Sequence, residues 1–515
     1  MLPETRLDLW AKLRSAARAV SMAITVIAVS SAAPAVQELR VAIWAAPPTL
    51  GNPFGTVGPP SSLAWGALFD QLVSPTETGT LDPALAERWE SITPLRWRFY
   101  LRRGVEFSNG EPFDAAAVAA TINWLIGPDG ARSMVGAEIS SVEGVDIVDD
   151  FTVDIRTRMP DAILPKRLTP VSIVAPRAWA ELGADEFTQK PVGTGPYRLE
   201  DWGDGGRIEM VAAPASWRKP HHERLTLLVS SDNNARVQSL MSRQVDIALG
   251  LSPESTTELK GLGYPVFTAA TTQVVALAFN VVGKPNSIIA DQRVRQALNL
   301  AVDKTTIANV LMGGWMHPAS QGATPMTFGY DPGLAAHPFD PEKARALLTA
   351  AGVAPDTRLT AEIVANGMPG GSEFFGLLQQ DLARVGVTLD IRAVPFADWL
   401  RKYISNSFDV ELFGASWQGG PYHDSVRPAT YFSCAKPRPF FCDPDIMPLF
   451  DMAAAEFDVV ARRAILHRMA RRMHDTVPSL LLYEVTDLAV TSDRVGNFRF
   501  RARVPVYEDI VLKVE

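Results

Sequence analysis

Apolar and polar side chains along this chain follow two different periods, which predicts a fold that mixes strands and helices from end to end. Within 387–394 apolar and polar residues alternate, as they do in a half-buried strand. The alanine-rich run 115–126 follows Asp114, a residue type that caps helix N-termini, and it stops at Gly127. This run is therefore predicted to be a helix.

Two more segments continue the pattern towards the C-terminus. Asp340-Pro341-Glu342 combines an N-cap, a proline at the first helical position and an acidic first turn, and the apolar residues that follow share one helix face. Residues 456–475 have the pattern of an arginine-rich helix that leads into a buried strand, 479–485. With 515 residues the chain is too long for a single core. Since no repeat or low-complexity linker separates modules, the sequence favours domains assembled from discontinuous segments.

The N-terminus has the three-part pattern of a secretory signal peptide. Basic residues precede the apolar run 19–29, which is followed by the small residues Ala33-Pro34-Ala35. We therefore expect residues 1–35 to be removed by cleavage after Ala35. An N-terminal anchor helix is the weaker alternative, because a membrane span needs about 20 apolar residues. No cysteine stands at the cleavage site, so we expect a soluble periplasmic protein and not a lipoprotein.

Charge and histidine content argue against several classes of function. Removing residues 1–35, which carry four basic and two acidic side chains, changes the formal net charge from −8 to −10. An acidic body without a basic stripe argues against nucleic-acid binding. The seven histidines form no H-E-x-x-H pattern, so the sequence predicts neither a metal site nor a cofactor.

Two short patterns match elements of penicillin-recognising enzymes. Residues 433–436 fit S-x-x-K and residues 231–233 fit S-D-N. Their order is reversed relative to those enzymes and K-T-G is absent. A secreted serine hydrolase therefore stays open only as an alternative, and we predict no catalytic residues and no enzyme activity.

The chain has two cysteines, Cys434 and Cys442, with seven residues between them. In an exported protein a close pair of cysteines is most simply a disulfide that closes a small loop. The sequence therefore predicts this disulfide.

The stretch 190–202 places two glycines and a proline in a tight turn that runs into the alternating residues of a strand. Arg198 replaces the third glycine of a G-x-G-x-x-G pattern, which argues against a nucleotide-binding loop. The stretch resembles the signature of the peptide/nickel class of extracytoplasmic solute-binding proteins, family 5, the capture subunits of ABC importers. The resemblance continues in the family's order at 81–89, 97–114, 231–240, 245–247, 279–280 and 293–303.

This resemblance implies an α/β fold of the two-lobed periplasmic-binding-protein kind, type II-like, with an extra inserted α/β domain and a discontinuous first lobe. By transfer from the family, lobe I comprises residues 38–75, 190–275 and 489–515, the inserted domain residues 76–189, and lobe II, the second ligand-binding lobe, residues 276–488. The lobes are expected to close on a ligand around hinge segments near 276–280 and 485–490.

The loop 415–427 is the candidate ligand-binding segment, because it concentrates aromatic and polar groups among glycines. Its aromatic rings offer rigid walls, and its charged groups offer charge-assisted hydrogen bonds inside a closing cleft. The alternative is that these side chains pack inwards for structural reasons. The predicted ligand-binding residues are Trp417 and Tyr422 as walls, His423, Asp424 and Arg427 as hydrogen-bonding groups, and Trp65 and Trp315 as further walls.

The same loop departs from the family in two respects. In peptide-binding relatives an aspartate after the matching tryptophan pairs with the α-ammonium group of the ligand, whereas the aligned residue here is Gly420 and the nearest acid is Asp424. In nickel-binding relatives the loop carries the matching Trp and Tyr, but their downstream ligand histidine has no counterpart near Cys434. These departures argue against a free peptide N-terminus and against a metal chelate as the ligand.

Together these features predict the periplasmic substrate-binding component of an ABC importer. It is expected to capture a small solute, a peptide or a peptide-like compound, by lobe closure and to deliver it to the permease membrane subunits. We expect a monomer that binds a small molecule and no nucleic acid. The alternatives are a metal-chelate or nickel-type binding protein, the serine hydrolase, and a sensory protein that keeps the fold and signals through a membrane partner.

Overall fold

The computed structural model describes residues 37–76, 79–364, 371–434 and 438–513, and the predicted signal peptide, residues 1–35, lies outside them. In chain order, strands β1 to β21 are Glu38–Ile43, Val73–Pro75, Leu81–Pro83, Ala86–Thr93, Arg96–Leu101, Val142–Asp149, Thr152–Thr157, Tyr197–Asp201, Arg207–Ala212, Arg224–Val229, Ile247–Leu249, Val266–Phe279, His317–Pro318, Thr357–Val364, Val387–Val394, Leu412–Gln418, Ser479–Thr491, Val495–Gly496, Phe500–Arg501, Val504–Pro505 and Val511–Leu512. Helices α1 to α15 are Ser61–Leu68, Ala115–Ile126, Met134–Glu138, Leu164–Arg167, Pro176–Phe187, Asn233–Met241, Pro253–Gly261, Gln292–Ala301, Lys304–Thr306, Pro341–Ala350, Gly371–Arg384, Phe396–Ser405, Val426–Tyr431, Met447–Ala455 and Val459–Thr476.

One large mixed sheet orders its strands as β15-β14-β16-β12-β17-β11-β1-β10-β9-β8, with β13 paired to β17. Its two halves meet at β17, which pairs with β12 on one side and with β11 on the other. Strands β12 and β17 have 14 and 13 residues, and their register shifts at Ala270/Val274 and at Val275/Ala276. The predicted hinge segments lie on or next to these two strands. Their motion remains a prediction.

The half of the sheet formed by β15, β14, β16, β12 and β17 is covered on both faces, and the side chains of β12 show how. The odd-numbered residues from Val275 to Phe279 pack in one cluster with helices α8, α10 and α11. The even-numbered residues from Val274 to Ala278 pack in another cluster with α13, α14 and α15. A sheet that is buried on both faces takes apolar residues at successive positions, and residues 274–279 of β12 are accordingly all apolar.

The other half of the sheet shares a core with the four-stranded sheet β4-β5-β7-β6. Leu39, Val41 and Ile43 of β1 lie in this core, and so does Phe99 of β5. The opposite face of β1, at Ala42, is covered by α6 and α7. The core that the sheet shares with β4-β5-β7-β6 also contains apolar residues from the C-terminal segment after β17. Distant parts of the chain therefore pack together in this core. The α/β fold is confirmed, and the lobe boundaries stay predictions.

The sequence predicted elements well where local chemistry sets their limits. Asp114 caps α2 by accepting hydrogen bonds from two backbone N–H groups, and Asp340 caps α10 by accepting from the N–H of Lys343. The alternating run 387–394 is strand β15. The arginine-rich helix begins later than predicted, at Val459, because Asp458 is its N-cap. The strand that follows it extends beyond its predicted end, to Thr491, and so includes the predicted hinge segment 485–490.

Cys434 and Cys442 form the predicted disulfide, with their Cα atoms 4.6 Å apart. The bond closes a short loop between α13 and α14. It therefore restrains the chain beside the cluster that covers the second face of β12.

Replacing both cysteines, as Cys434→Ser with Cys442→Ser, should lower the free energy of unfolding by about 2–3 kcal/mol, because the unfolded chain regains the entropy that the short loop denies it. Urea denaturation of the oxidised wild type and of the double variant measures the difference. Chemical reduction of the wild type should give the same loss. An unchanged midpoint in both experiments would show that the disulfide does not restrain the unfolded state.

Candidate functional site

A cavity of about 520 Å³ lies where three parts of the chain face one another. The first side is formed by the loop before α1, by α1 itself and by the C-terminal hairpin β19–β20; the second by Thr272 of β12 and the loop after β16; the third by the segment after α4. Ligand pockets for small organic solutes have volumes of about 300–1,000 Å³. The cavity is therefore large enough for a solute of the size of a short peptide.

The loop after β16 is held against the segment around α4 by direct hydrogen bonds. Thr169 Oγ1 donates to the carbonyl oxygen of Pro421 over 3.0 Å. Lys166 Nζ donates to the carbonyl oxygens of Gly79 (2.7 Å) and His423 (3.5 Å). Burial lowers the pKa of Lys166 to about 8, although Asp424 opposes the effect. These contacts join two sides of the cavity.

An ion pair between Arg427 of α13 and Glu138 of α3 makes a further connection beside the cavity. Arg427 Nη2 and Nε donate to Glu138 Oε1 over 2.6 and 3.0 Å, and both side chains are nearly buried. Arg427 Nη1 also donates to the carbonyl oxygen of Gln418 over 2.9 Å. Burial works against the charge of Arg427, but Glu138 outweighs it, so the pKa of Arg427 lies above its ordinary value. Arg427 lines the cavity and is already neutralised.

Asp424, the acid of the predicted loop, is completely buried. Arg462 of α15 donates to both of its oxygens, with Nη1 to Oδ2 at 2.7 Å and Nη2 to Oδ1 at 3.1 Å. Burial alone disfavours the carboxylate, but the adjacent Arg462 guanidinium holds the pKa of Asp424 below its usual value. Asp424 does not line the cavity. Its ion pair with Arg462 gives it a structural role in the interior.

His423 lines the cavity with a side chain that is 4 % exposed. Its Nδ1 is buried and has no hydrogen-bond partner among the described residues. Burial, with the nearby cations Lys166 and Arg503, lowers the pKa of His423 to about 4. The imidazole is therefore neutral at pH 7.

The predicted aromatic walls differ in their surroundings. Trp65 lines the cavity, and its Nε1 donates to the carbonyl oxygen of Leu50. Tyr422 is buried between Arg167 and Arg427, and burial raises the pKa of its hydroxyl. A hydrogen bond of 3.4 Å joins Arg167 Nη1 to Tyr422 Oη. Tyr422 therefore contributes to the connection between the two sides and does not line the cavity.

Trp417 stacks on Phe432 with ring centroids 4.1 Å apart, and its Nε1 donates to Ser479 Oγ over 3.0 Å. It is 2 % exposed and lines a separate cavity of about 40 Å³. Trp315 donates to Thr257 Oγ1 over 2.9 Å and lies outside both cavities. Of the seven predicted residues, the large cavity brings together Trp65, His423 and Arg427. Direct contact of any of the seven with a solute remains a prediction.

Sequence reasoning missed the contribution of the C-terminal hairpin. Arg501 and Arg503 line the cavity from β19 and the turn that follows it. The only signal is the short run Phe500–Val504, in which basic and apolar residues alternate. Nothing in that run shows which distant loop it faces, so the sequence alone had no means of finding it.

The alternatives of metal binding and serine chemistry gain no support from the described residues. Within the described ranges, no group of three or more His, Cys, Asp or Glu side chains is arranged to hold a metal ion. Ser433 is buried and donates to the carbonyl oxygen of Thr430 over 3.0 Å, while Lys436 lies outside the described residues. In the same ranges, no helix has the length and apolar character needed to cross a bilayer.

Asp424→Asn should lower the free energy of unfolding at neutral pH by about 3–5 kcal/mol, because it leaves the buried Arg462 without its counter-charge. The folded-state pKa of Asp424 lies below its unfolded value of about 3.9. The wild-type advantage should therefore be complete above about pH 4 and should shrink as the pH falls through the folded-state pKa. Urea unfolding at a series of pH values measures both effects.

The matched control for this variant is Asp451→Asn, which changes an exposed aspartate on α14. We expect a loss below about 0.5 kcal/mol from the control. If Asp424→Asn lost no more than the control, the buried ion pair would not stabilise the fold.

Two curated relatives are similar to this chain over long stretches. The "Di/tripeptide-binding protein 2" of Pseudomonas aeruginosa is 28% identical over 459 residues, which are 82% of this chain and 84% of the relative. The "Glutathione-binding protein GsiB" of Salmonella paratyphi A is 28% identical over 305 residues, which are 58% of each protein.

Two solved structures have the same fold. DppA from Helicobacter pylori, in complex with the peptide STSA, has a TM-score of 0.77 at 19% identity and is matched over 92% of this chain and 98% of its own. NikA from Brucella suis, in complex with Fe(III)-EDTA, has a TM-score of 0.79 at 24% identity, over 92% of this chain and 100% of its own.

The sequence is also matched by the family described as "Bacterial extracellular solute-binding proteins, family 5 Middle", over residues 80–438. The matched region contains the loop after β16, the segment around α4 and Thr272, which form two of the three sides of the cavity. Because the match covers more than half of the chain, the protein belongs to the bacterial extracellular solute-binding proteins of family 5.

Proposed function

We propose that this protein captures a short peptide or a peptide-like solute outside the cytoplasm, as the binding component of an ABC importer. The observation that carries the proposal is the cavity of about 520 Å³, which is lined by Thr272 and the loop after β16, by α1 and the C-terminal hairpin, and by the segment after α4. A solute in that position contacts every side at once. Such contacts are what a protein needs to couple binding to closure.

The relatives support a peptide-like solute more than a metal chelate. A di/tripeptide-binding protein and a glutathione-binding protein are similar to the chain, and one structural neighbour holds the peptide STSA. Neighbours with Fe(III)-EDTA or nickel share the fold. However, His423 is the one histidine that lines the large cavity within the described ranges.

Closure is a shift of population between an open and a closed arrangement. The solute favours the closed state because only there does it contact all sides of the cavity. Strands β12 and β17 join the two halves of the sheet and lie at the predicted hinge segments. Burial of aromatic and polar groups on closure supplies affinity and specificity together.

Transfer to the permease completes the cycle. The closed complex docks on the membrane subunits of the importer, and the solute is released unaltered. We expect the protein to act in the periplasm as a monomer, without catalysing a reaction.

Isothermal titration calorimetry with dipeptides, tripeptides and glutathione tests the proposal, and small-angle scattering with and without the bound solute tests closure. Val57→Trp, which adds a large ring to the cavity wall, should weaken binding about tenfold or more, because it fills space that the solute needs. Val282→Trp, at an exposed site outside the cavity, is the control. Identical scattering profiles with and without a bound solute would contradict closure.

The ion pair between Glu138 and Arg427 joins α3 to α13 beside the cavity. If closure brings these two helices together, Glu138→Gln should weaken solute binding about tenfold, or roughly 1.4 kcal/mol, because it removes a charge-assisted contact of the closed arrangement. Glu143→Gln breaks an exposed ion pair with Arg156 and should leave the affinity unchanged. Equal affinities for the two variants would show that the Glu138 pair does not contribute to closure.

A further inference from the structure

The charged groups around the cavity indicate which end of a solute the protein recognises, an inference that rests on the proposed function. The buried acids of the cavity wall already have partners. Arg218 is 2.8 Å from Asp70 Oδ1 and 2.8 Å from Glu508 Oε1, and all three side chains are nearly buried. Trp217 Nε1 and Thr194 Oγ1 also donate to Asp70. These oxygens are therefore committed to the protein itself.

The remaining acids near the cavity do not offer a buried counter-charge either. Asp509 is paired with Arg499, and Asp82 is exposed. Asp424 is fully buried behind the wall with Arg462. Among the described residues that line the cavity, no buried carboxylate is unpaired. A solute ammonium group would thus lose its hydration without gaining a buried counter-charge.

Arg503 offers the opposite charge in a fixed position. Its Nε and Nη2 donate to the two oxygens of Asp487 on β17, with Nη2 2.8 Å from Oδ1. Its side chain lines the cavity and is 16 % exposed, and Nη1 has no hydrogen-bond partner within the described part of the chain. A guanidinium that is held along one edge in this way presents its remaining N–H groups to a ligand.

The backbone also holds Arg503 in place. Strands β19 and β20 pair through a turn of two residues, Ala502 and Arg503, which have φ values of 48° and 74°. Left-handed conformations are uncommon for residues other than glycine, but two-residue hairpin turns require them. The turn therefore points a pre-positioned arginine at the cavity.

His423 lines the cavity from a different part of the fold, the loop after β16, and its buried Nδ1 is unpartnered. Arg503 belongs to the hairpin that begins at Phe500, a residue of the core that also contains β1. The loop of His423 instead follows β16, which lies in the other half of the large sheet. Arg503 is near enough to disfavour the charged form of His423. Arg503 and His423 thus border the same cavity from two distant parts of the chain. Each has a side-chain nitrogen without a hydrogen-bond partner among the described residues.

We propose that the cavity anchors its solute by a carboxylate group on Arg503, with His423 as the polar group on the other half, and that it accepts solutes whose amino end is blocked. The carboxylate accepts from Arg503 Nη1 while Asp487 keeps the guanidinium in place. Because charge-assisted hydrogen bonds are about twice as strong as neutral ones, this contact decides the orientation of the solute.

The test uses four forms of trialanine with wild-type protein in a calorimeter: the free peptide, the N-acetylated peptide, the C-terminal amide, and the doubly blocked peptide. Acetylation should change the affinity by less than about threefold, because no buried acid receives the ammonium group. Amidation should weaken it about tenfold or more, the expected effect of losing a hydrogen bond between charged groups.

Arg503→Gln should weaken binding of N-acetyl-trialanine about tenfold or more and remove the difference between acid and amide. The control is Arg499→Gln, which breaks the ion pair with Asp509, because Arg499 does not line the cavity. In this variant the acid and the amide of the peptide should still differ in affinity. The comparison of acid and amide on the wild type does not depend on the folding of either variant.

The outcomes separate the two proposals. Binding that survives amidation, or that disappears on acetylation, would overturn the carboxylate anchor and leave peptide capture standing. Failure of all four forms to bind at about 1 mM would overturn peptide capture for tripeptides and the anchor with it.

Discussion

The antiparallel pairing of β12 with β17 is the interaction on which the rest of the structure depends. It joins the two halves of the large sheet, and its register shifts near the predicted hinge. Strand β17 pairs with β11 of the other half within the same 13 residues. A long strand that belongs to both halves lets them share a hydrogen-bonded connection while each buries its own core. The cavity lies beside this connection, because Thr272 of β12 lines it.

Charge compensation is the second constraint. Low polarity inside a protein makes an unpaired buried charge costly, and the structure meets this cost with arginine partners for Asp70, Asp424 and Glu508. The same pairing that stabilises the fold removes these acids from ligand binding. In the proposed anchor, a solute therefore meets groups that are left over, the free edge of Arg503 and the neutral ring of His423.

The hydrogen bonds that hold the loop after β16 near the cavity relate Arg503 and His423 to the proposed function. The bonds from Lys166 and Thr169 lie beside the cavity, and so does the ion pair of Arg427 with Glu138 of α3. Under the proposed closure, protein contacts and solute contacts form in the same movement. In a family of extracellular solute-binding proteins, such coupling allows a solute to select the arrangement that the importer recognises. Part of the free energy of closure then comes from the protein and part from the solute.

The sequence by itself determined the mixed α/β class, the capped helices at Asp114 and Asp340, the disulfide and the family, because each depends on neighbouring residues or on blocks that keep their order. It also singled out the loop 415–427 by its residue types. Only the tertiary structure decided that Asp424 is neutralised by Arg462, that Trp417 packs beside Phe432, and that Arg503 faces the cavity. The physical reason is that availability for a ligand depends on burial and on distant partners, and neither follows from local pattern.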